Sequence, residues 1–329
     1  MSVRTTPLPR MAGDLTFMRA RRATIEELGP DNLAVLGAPL ERNWGPKSGC
    51  RFGPRALRET SVYFGWHANP QFSQPVDVDA RKRIDTSSIH DRLVDIGDVA
   101  LNNAEGSRGK QAIGMTIAAI RTRGAASILL GGDDEVVAPA LSGLRTENPC
   151  SLIQIGGIVP SCGRDIGDDR SSASRPVAAG DVALASTLFI APAQVPTAEF
   201  CTDLAKAGGQ LIEARHLPGM SSGKIADISK RLAAGKGALA VHLDLTALSA
   251  PLHGMSNTPR FDGLSVAVLQ NALAAIGQAP VDCFIMTGLN PTLSGLSIVK
   301  TGQRLLVTLL LGFIYGRLRV LSSLERESA

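Results

Sequence analysis

Aromatic side chains are scarce, with Phe, Trp and Tyr together making up 4% of 329 residues. That shortage argues against base-stacking surfaces of the kind that grip single-stranded nucleic acid. Charge is thin as well. Thirty-four Lys+Arg oppose 30 Asp+Glu for a net +4, and the arginines are scattered, so no basic stripe for nucleic acid is indicated. Cysteine is limited to positions 50, 150, 162, 201 and 283. An odd number, wide spacing and no CxxC argue against a disulfide framework or a structural zinc site, and a reducing cytoplasmic setting fits. The longest apolar run, Leu305 to Tyr315, is interrupted by Thr308 and Gly312. It is too short to span a bilayer, which takes ~20 residues, and reads as a core or subunit-interface helix. The first 29 residues are polar, broken by prolines, and carry no apolar stretch of a secretory signal.

What is present is globular: 44% of residues are apolar, enough for a sizeable core. No composition break splits the chain, so residues 1–30 read as an N-terminal extension and 31–329 as a single domain. Short aliphatic runs at 33–37, 92–97, 126–132, 151–155, 187–190, 210–212, 238–245 and 282–286 read as strands. Helical patterns lie at 54–60, 109–123, 136–144, 197–207, 222–234, 264–276 and 301–318. Residues 66–89 and 161–181 read as long loops. Alternation of this kind predicts an α/β fold with a parallel sheet covered by helices on both faces, and near-continuous apolar strands fit a sheet buried on both sides. In such sheets ligand sites gather at the carboxyl ends of the strands.

Three stretches stand at those ends. The first runs Gly37-Ala38-Pro39 and then Gly49-Cys50-Arg51-Phe52-Gly53-Pro54-Arg55-Ala56-Leu57-Arg58. The second is Asp95-Ile96-Gly97-Asp98, and the third Gly131-Gly132-Asp133-Asp134. In this order and spacing the chain resembles the ureohydrolases, the arginase and agmatinase family, from about residue 31 to the helix ending near 318. The resemblance implies a three-layer α/β/α sandwich with a central, mostly parallel sheet, usually assembled as trimers or hexamers. It also implies hydrolysis of a guanidino-type C–N bond by a hydroxide bridging two metal ions.

Residue by residue, the resemblance places the six metal-ligand positions at Asp134, Gly156, Ile158, Pro160, Asp244 and Thr246. Where the family has G-G-D-H, D-A-H-x-D and D-x-D, this chain reads Gly131-Gly132-Asp133-Asp134, Gly156-Gly157-Ile158-Val159-Pro160 and Asp244-Leu245-Thr246. Two carboxylates remain and no matching His, too few to hold a binuclear centre. The family's late Glu becomes Gly288, and Ser172-Ala173-Ser174-Arg175-Pro176 lacks the His of its substrate loop. The expectation is a kept scaffold without a metal site or catalytic residues in this chain.

Other residues carry open readings. Asp134, His242, Asp244, Thr246 and Gly288 outline a vestigial pocket. His242 and Asp244 face the same way on one strand. They read as a hydrogen-bonded buried pair, or with Asp134 as a weak mononuclear site. Asp133 reads as a backbone cap. Arg51, Arg55 and Arg58 read as scaffold ion pairs rather than an anion site, and Asp165, Asp168 and Asp169 as a solvated acidic turn rather than a cation site. Cys162 reads as inert, its alternative being a nucleophile. His67, His90, His216 and His253 form no spaced cluster.

Three functions follow. One is a non-catalytic subunit that assembles with a catalytic ureohydrolase paralogue, in a hetero-oligomer expected to be a hexamer. Nickel or manganese is then expected in that partner and no cofactor in this chain. The chain resembles the degenerate subunit of a bacterial heteromer that cleaves a biguanide to guanylurea and dimethylamine. The second is a regulatory protein binding a guanidino ligand in the emptied pocket. The third is an enzyme with rebuilt chemistry. Neither nucleic acid nor membrane is expected as a partner. Loops 66–89 and 161–181 are the candidate segments for contact with the partner's active site.

Overall fold

The computed structural model describes residues 13–41, 48–64, 76–77, 82–83, 91–101, 106–160, 173–249, 255–258, 260–293 and 296–327. Its centre is a nine-stranded sheet whose paired strands are all parallel. In chain order these strands are β1 (Arg21–Arg22), β2 (Leu33–Ala38), β5 (Leu93–Asp98), β6 (Ala126–Gly131), β7 (Cys150–Ile155), β8 (Val182–Ile190), β9 (Gln210–Ile212), β10 (Leu239–Asp244) and β11 (Cys283–Thr287). Two short strands, β3 (Val76–Asp77) and β4 (Lys82–Arg83), pair antiparallel apart from it. They fall inside the stretch read as loop 66–89, whose other residues lie outside those described.

The spatial order is β1-β5-β2-β6-β11-β10-β7-β8-β9. The chain runs β2, β5 and β6, then leaves a gap that β11 and β10 later fill before β7. The carboxyl ends of β6, β11, β10 and β7 therefore meet where the strand order reverses, the usual place for a ligand crevice. Every residue of β2, β7, β10 and β11 is buried, which is why these strands read as apolar runs without alternation.

Helices cover both faces. On one side pack α1 (Gly53–Ser61), α6 (Ser222–Ala233), α7 (Val266–Ile276) and α8 (Leu296–Glu327). On the other pack α2 (Ser107–Thr122), α3 (Val137–Leu144) and α5 (Ala198–Ala207). Phe284 of β11 stacks on Phe313 of α8 at 4.4 Å between ring centroids, and Phe189 of β8 meets Phe200 of α5 edge-on at 5.5 Å. Hydroxyl caps start three helices: Thr197 accepts from Phe200 N, Ser221 from Lys224 N and Ser265 from Val268 N. Each such cap contributes about 1 kcal/mol.

Besides β3 and β4 and shifts of one or two residues at element ends, four departures from the sequence reading stand out. Strand β8 starts at Val182, ahead of the aliphatic run at 187–190. Helix α8 extends the 301–318 pattern at both ends. A short helix, α4 (Ser174–Ala178), sits within the stretch read as loop 161–181. In the stretch read as an extension, β1 adds a strand beside β5, and Phe17 and Met18 are fully buried. Among the described residues no helix is long and apolar enough to cross a membrane.

Candidate functional site

Arg58 joins the first two motifs, Glu41 fixes the turn within the first, and the third is tied to the first by backbone bonds from Gly132 N to Ala38 O and from Asp133 N to Leu40 O. Arg58 on α1 donates from Nε and Nη2 to the two oxygens of Asp95 at 2.8 and 3.0 Å, from Nη2 to Gly97 O, and from Nη1 to Asp98. Asp95 also accepts from Phe17 N and Gly97 N, so its buried carboxylate has four donors and every acceptor position filled. Glu41 accepts from Gly49 N, Cys50 N and Arg51 Nε, which fixes the turn leading into α1. Arg55 pairs with Glu59 on the exposed face of the helix. All three arginines are thus in ion pairs. Asp133 accepts from Glu135 N, the backbone cap read from sequence.

The crevice lies at the carboxyl ends of the four central strands. Asp134 opens the turn after β6, and Gly156, Ile158 and Pro160 follow β7. Asp244 ends β10, Thr246 lies on the next turn, and Gly288 follows β11. In register, Asp244 stands beside Thr287 of β11, and His242 between Gln154 of β7 and Ile285 of β11.

At its heart is a closed hydrogen-bond network. Asp244 Oδ1 accepts from Thr246 N at 2.8 Å and from Thr246 Oγ1 at 2.5 Å. Thr246 Oγ1 in turn accepts from Gly157 N at 2.8 Å. Thr287 Oγ1 donates to Asp244 Oδ2 at 3.3 Å, so the 2.8 Å contact between its oxygen and His242 Nε2 assigns the proton to Nε2. His242 is fully buried, and burial lowers its pKa from 6.5 to about 4 against the raising influence of Asp244. His242 and Asp244 are therefore linked through Thr287 rather than directly.

The loop after β7 folds down onto this network. Gln154, fully buried, donates from Nε2 to Gly156 O and Ile158 O. Gly156 has φ +73°, and a β-carbon there would meet the backbone of Ala247. The polar residues Gln154 and Thr287 were not singled out from sequence, though a glutamine inside an otherwise apolar strand is a visible signal. Cys50 was also missed. It is buried, accepts a hydrogen bond from Asn257 Nδ2 at 3.5 Å, and feels Glu41, Asp133, Asp244 and Asp134; burial first, then those carboxylates, push its thiol pKa far up. Asn290, fully buried, orients Asn257 through a 2.8 Å bond.

Among the described residues no three His, Cys, Asp or Glu side chains are grouped closely enough to hold a metal ion. Cys162, Asp165, Asp168, Asp169, His67, His90 and His253 lie outside the described residues. His216 sits on the surface beside Glu213.

The model of the arginase family matches residues 31–311. A guanidinobutyrase of Pseudomonas aeruginosa is 29% identical over 142 residues, 43% of this chain, and the match spans 41% of that protein. In structure the chain is similar to the proclavaminate amidino hydrolase of Streptomyces clavuligerus, with a TM-score of 0.72 and 18% identity over 95% of this chain and all of that one. It is equally similar to a hypothetical agmatinase from Burkholderia thailandensis, with a TM-score of 0.72 and 20% identity over 94% and 93% of the two chains. A family model covering most of the sequence, on an arginase-like parallel sheet, establishes that this chain belongs to the arginase family.

Proposed function

We propose that this chain is a non-catalytic ureohydrolase subunit that assembles with an active, metal-bearing paralogue, in a hetero-oligomer hydrolysing C–N bonds of linear amidines. The observation that carries the reading is the donor set at the carboxyl ends of β6, β7 and β10. Two divalent cations a few ångströms apart need several carboxylates and imidazoles. The six positions here offer Asp134 and Asp244, and Asp244 Oδ1 is already filled by Thr246. His242 is turned to Thr287. These residues do not fit a binuclear centre, and no catalytic step is assigned to this chain.

A duplicated subunit that drops its own chemistry can keep the surfaces that shape its partner's site. The names of the similar proteins point to guanidino and amidino compounds as the substrate class. Within that class we assign the complex to metformin hydrolase, which splits metformin into guanylurea and dimethylamine with nickel or manganese in the partner subunit.

The test is a tagged pull-down from the native host, with co-purifying chains identified by mass spectrometry. A ureohydrolase-like chain with intact ligands, in fixed ratio, is the expected result. Metal content and metformin turnover are then measured for each chain alone and for the pair, with activity expected only when the partner is present. Recovery of this chain alone, or only as its own oligomer, overturns the subunit reading. Turnover by the isolated chain overturns its non-catalytic role.

A further inference from the structure

We propose that the Thr246 hydroxyl ties the carboxyl ends of β7 and β10 together, so that this rim is ordered by the chain's own hydrogen bonds and needs no metal ion. The proposal rests on the metal-free part of the reading above and is independent of any partner.

Thr246 bridges the ends of two neighbouring paired strands. Its Oγ1 donates to Asp244 Oδ1, at the end of β10, and accepts from Gly157 N, in the loop after β7. The hydroxyl is thereby used as both donor and acceptor. Its own backbone N–H makes a second bond to the same carboxylate oxygen, and Thr287 supplies a third donor from β11. Burying a carboxylate costs free energy unless its charge is met. Here three donors meet it, and bonds to an ionised acceptor are the stronger kind. A cation is not required to make this carboxylate tolerable in the interior.

The β7 side is built to fit. Gly156 N donates to Ile190 O, and Ala193 N to Gly157 O, while Gln154 holds the carbonyls of Gly156 and Ile158. The loop is thus secured from below and from β8. The left-handed conformations of Gly156 and Gly157, with φ of +73° and +68°, turn the Gly157 amide onto Thr246. A side chain at 156 would have to displace the backbone of Ala247. The volume between the two strand ends is therefore closed by main chain.

The test uses the purified full-length chain. Thermal midpoints are measured after dialysis against EDTA and again with excess nickel or manganese chloride, and bound metal is counted by elemental analysis. Hydrogen exchange at the Gly157 amide is followed in the wild type, Thr246→Val, Thr246→Ser and Thr287→Val. The expected result is a midpoint that neither chelator nor metal moves, with no stoichiometric metal. Thr246→Val lowers the midpoint by about 4 °C or more, the scale set by losing two buried hydrogen bonds, and opens Gly157 to exchange. Thr246→Ser keeps the protection, as does Thr287→Val, which removes a different donor. Should Thr246→Val fail to fold, the serine variant and the metal titration still decide. Stoichiometric nickel or manganese that raises the wild-type midpoint overturns the proposal. So does a Thr246→Val chain with the wild type's midpoint and Gly157 protection, or loss of that protection in the serine variant.

Discussion

A β-carbon at Gly156 would stand 2.5 Å from the amide nitrogen of Ala247 and 2.9 Å from its Cα. Because the obstacle is backbone, no rotamer change relieves it. Gly156→Asp, which restores a carboxylate at the family's ligand position, is expected to destabilise the chain by about 2–4 kcal/mol, combining a positive φ with overpacking. Urea denaturation checks this; a variant as stable as the wild type would show that the loop moves freely.

The Arg58–Asp95 pair is expected to be a structural cornerstone rather than an anion site. Arg58→Ala leaves the Asp95 carboxylate buried without its cation and should cost about 3 kcal/mol or more. Arg58→Lys should recover part of that, since an ammonium cannot reproduce the two-pronged contact. Denaturant midpoints of the three chains, compared at equal m-value, provide the measurement.

Acid should weaken the fold through His242. Its folded pKa, near 4, lies below the 6.5 of the free side chain. Between those values the unfolded chain binds the additional proton, so stability falls as pH drops from about 6.5 towards 4. Urea titrations at several pH values should show this slope in the wild type and a flatter one in His242→Gln; equal slopes would remove His242 from the account.

Thiol reactivity should separate the cysteines by burial. Cys150 and Cys283 are buried, with pKa values pushed up to about 12 by desolvation, and Cys50 is raised by desolvation and nearby carboxylates. Cys201 is exposed. Under native conditions at pH 8, alkylation followed by peptide mapping is expected, among the four described cysteines, to label Cys201 and spare Cys50, Cys150 and Cys283. Rapid labelling of Cys50 would mean that the crevice opens to solvent.

The fold was legible where burial and pattern coincide. Strands β6, β7, β10 and β11 are buried on both faces, so their sequences are aliphatic runs that need no partner to be recognised. Strand β1 was not legible, because Arg21 and Arg22 are exposed and carry no strand signature. The strand exists because Phe17 and Met18, just before it, dock into the core. The first half of β8 is only partly buried and was hidden for the same reason. At the site, the family resemblance pointed to Asp134, Gly156, Asp244 and Thr246, and the structure has all four at the carboxyl ends of β6, β7 and β10 or on the turns that follow. Spacing could not show that Thr287 joins His242 to Asp244, because that link is set by strand register between residues 43 and 45 apart.

The burial of Phe17 and Met18 has a consequence for solubility. Phe17 N is held by Asp95 and Met18 N by Ser61, and the segment that follows lays β1 along β5. Without it, the row of backbone donors and acceptors along β5 would form the open border of the parallel sheet, a template for pairing with other chains. With it, Val94 and Asp95 of β5 are paired, and the strand laid beside them carries two exposed arginines, charges of the kind that discourage an incoming strand. The residues before the first long strand thus shield part of the sheet's edge, and deleting them is expected to increase self-association through that edge.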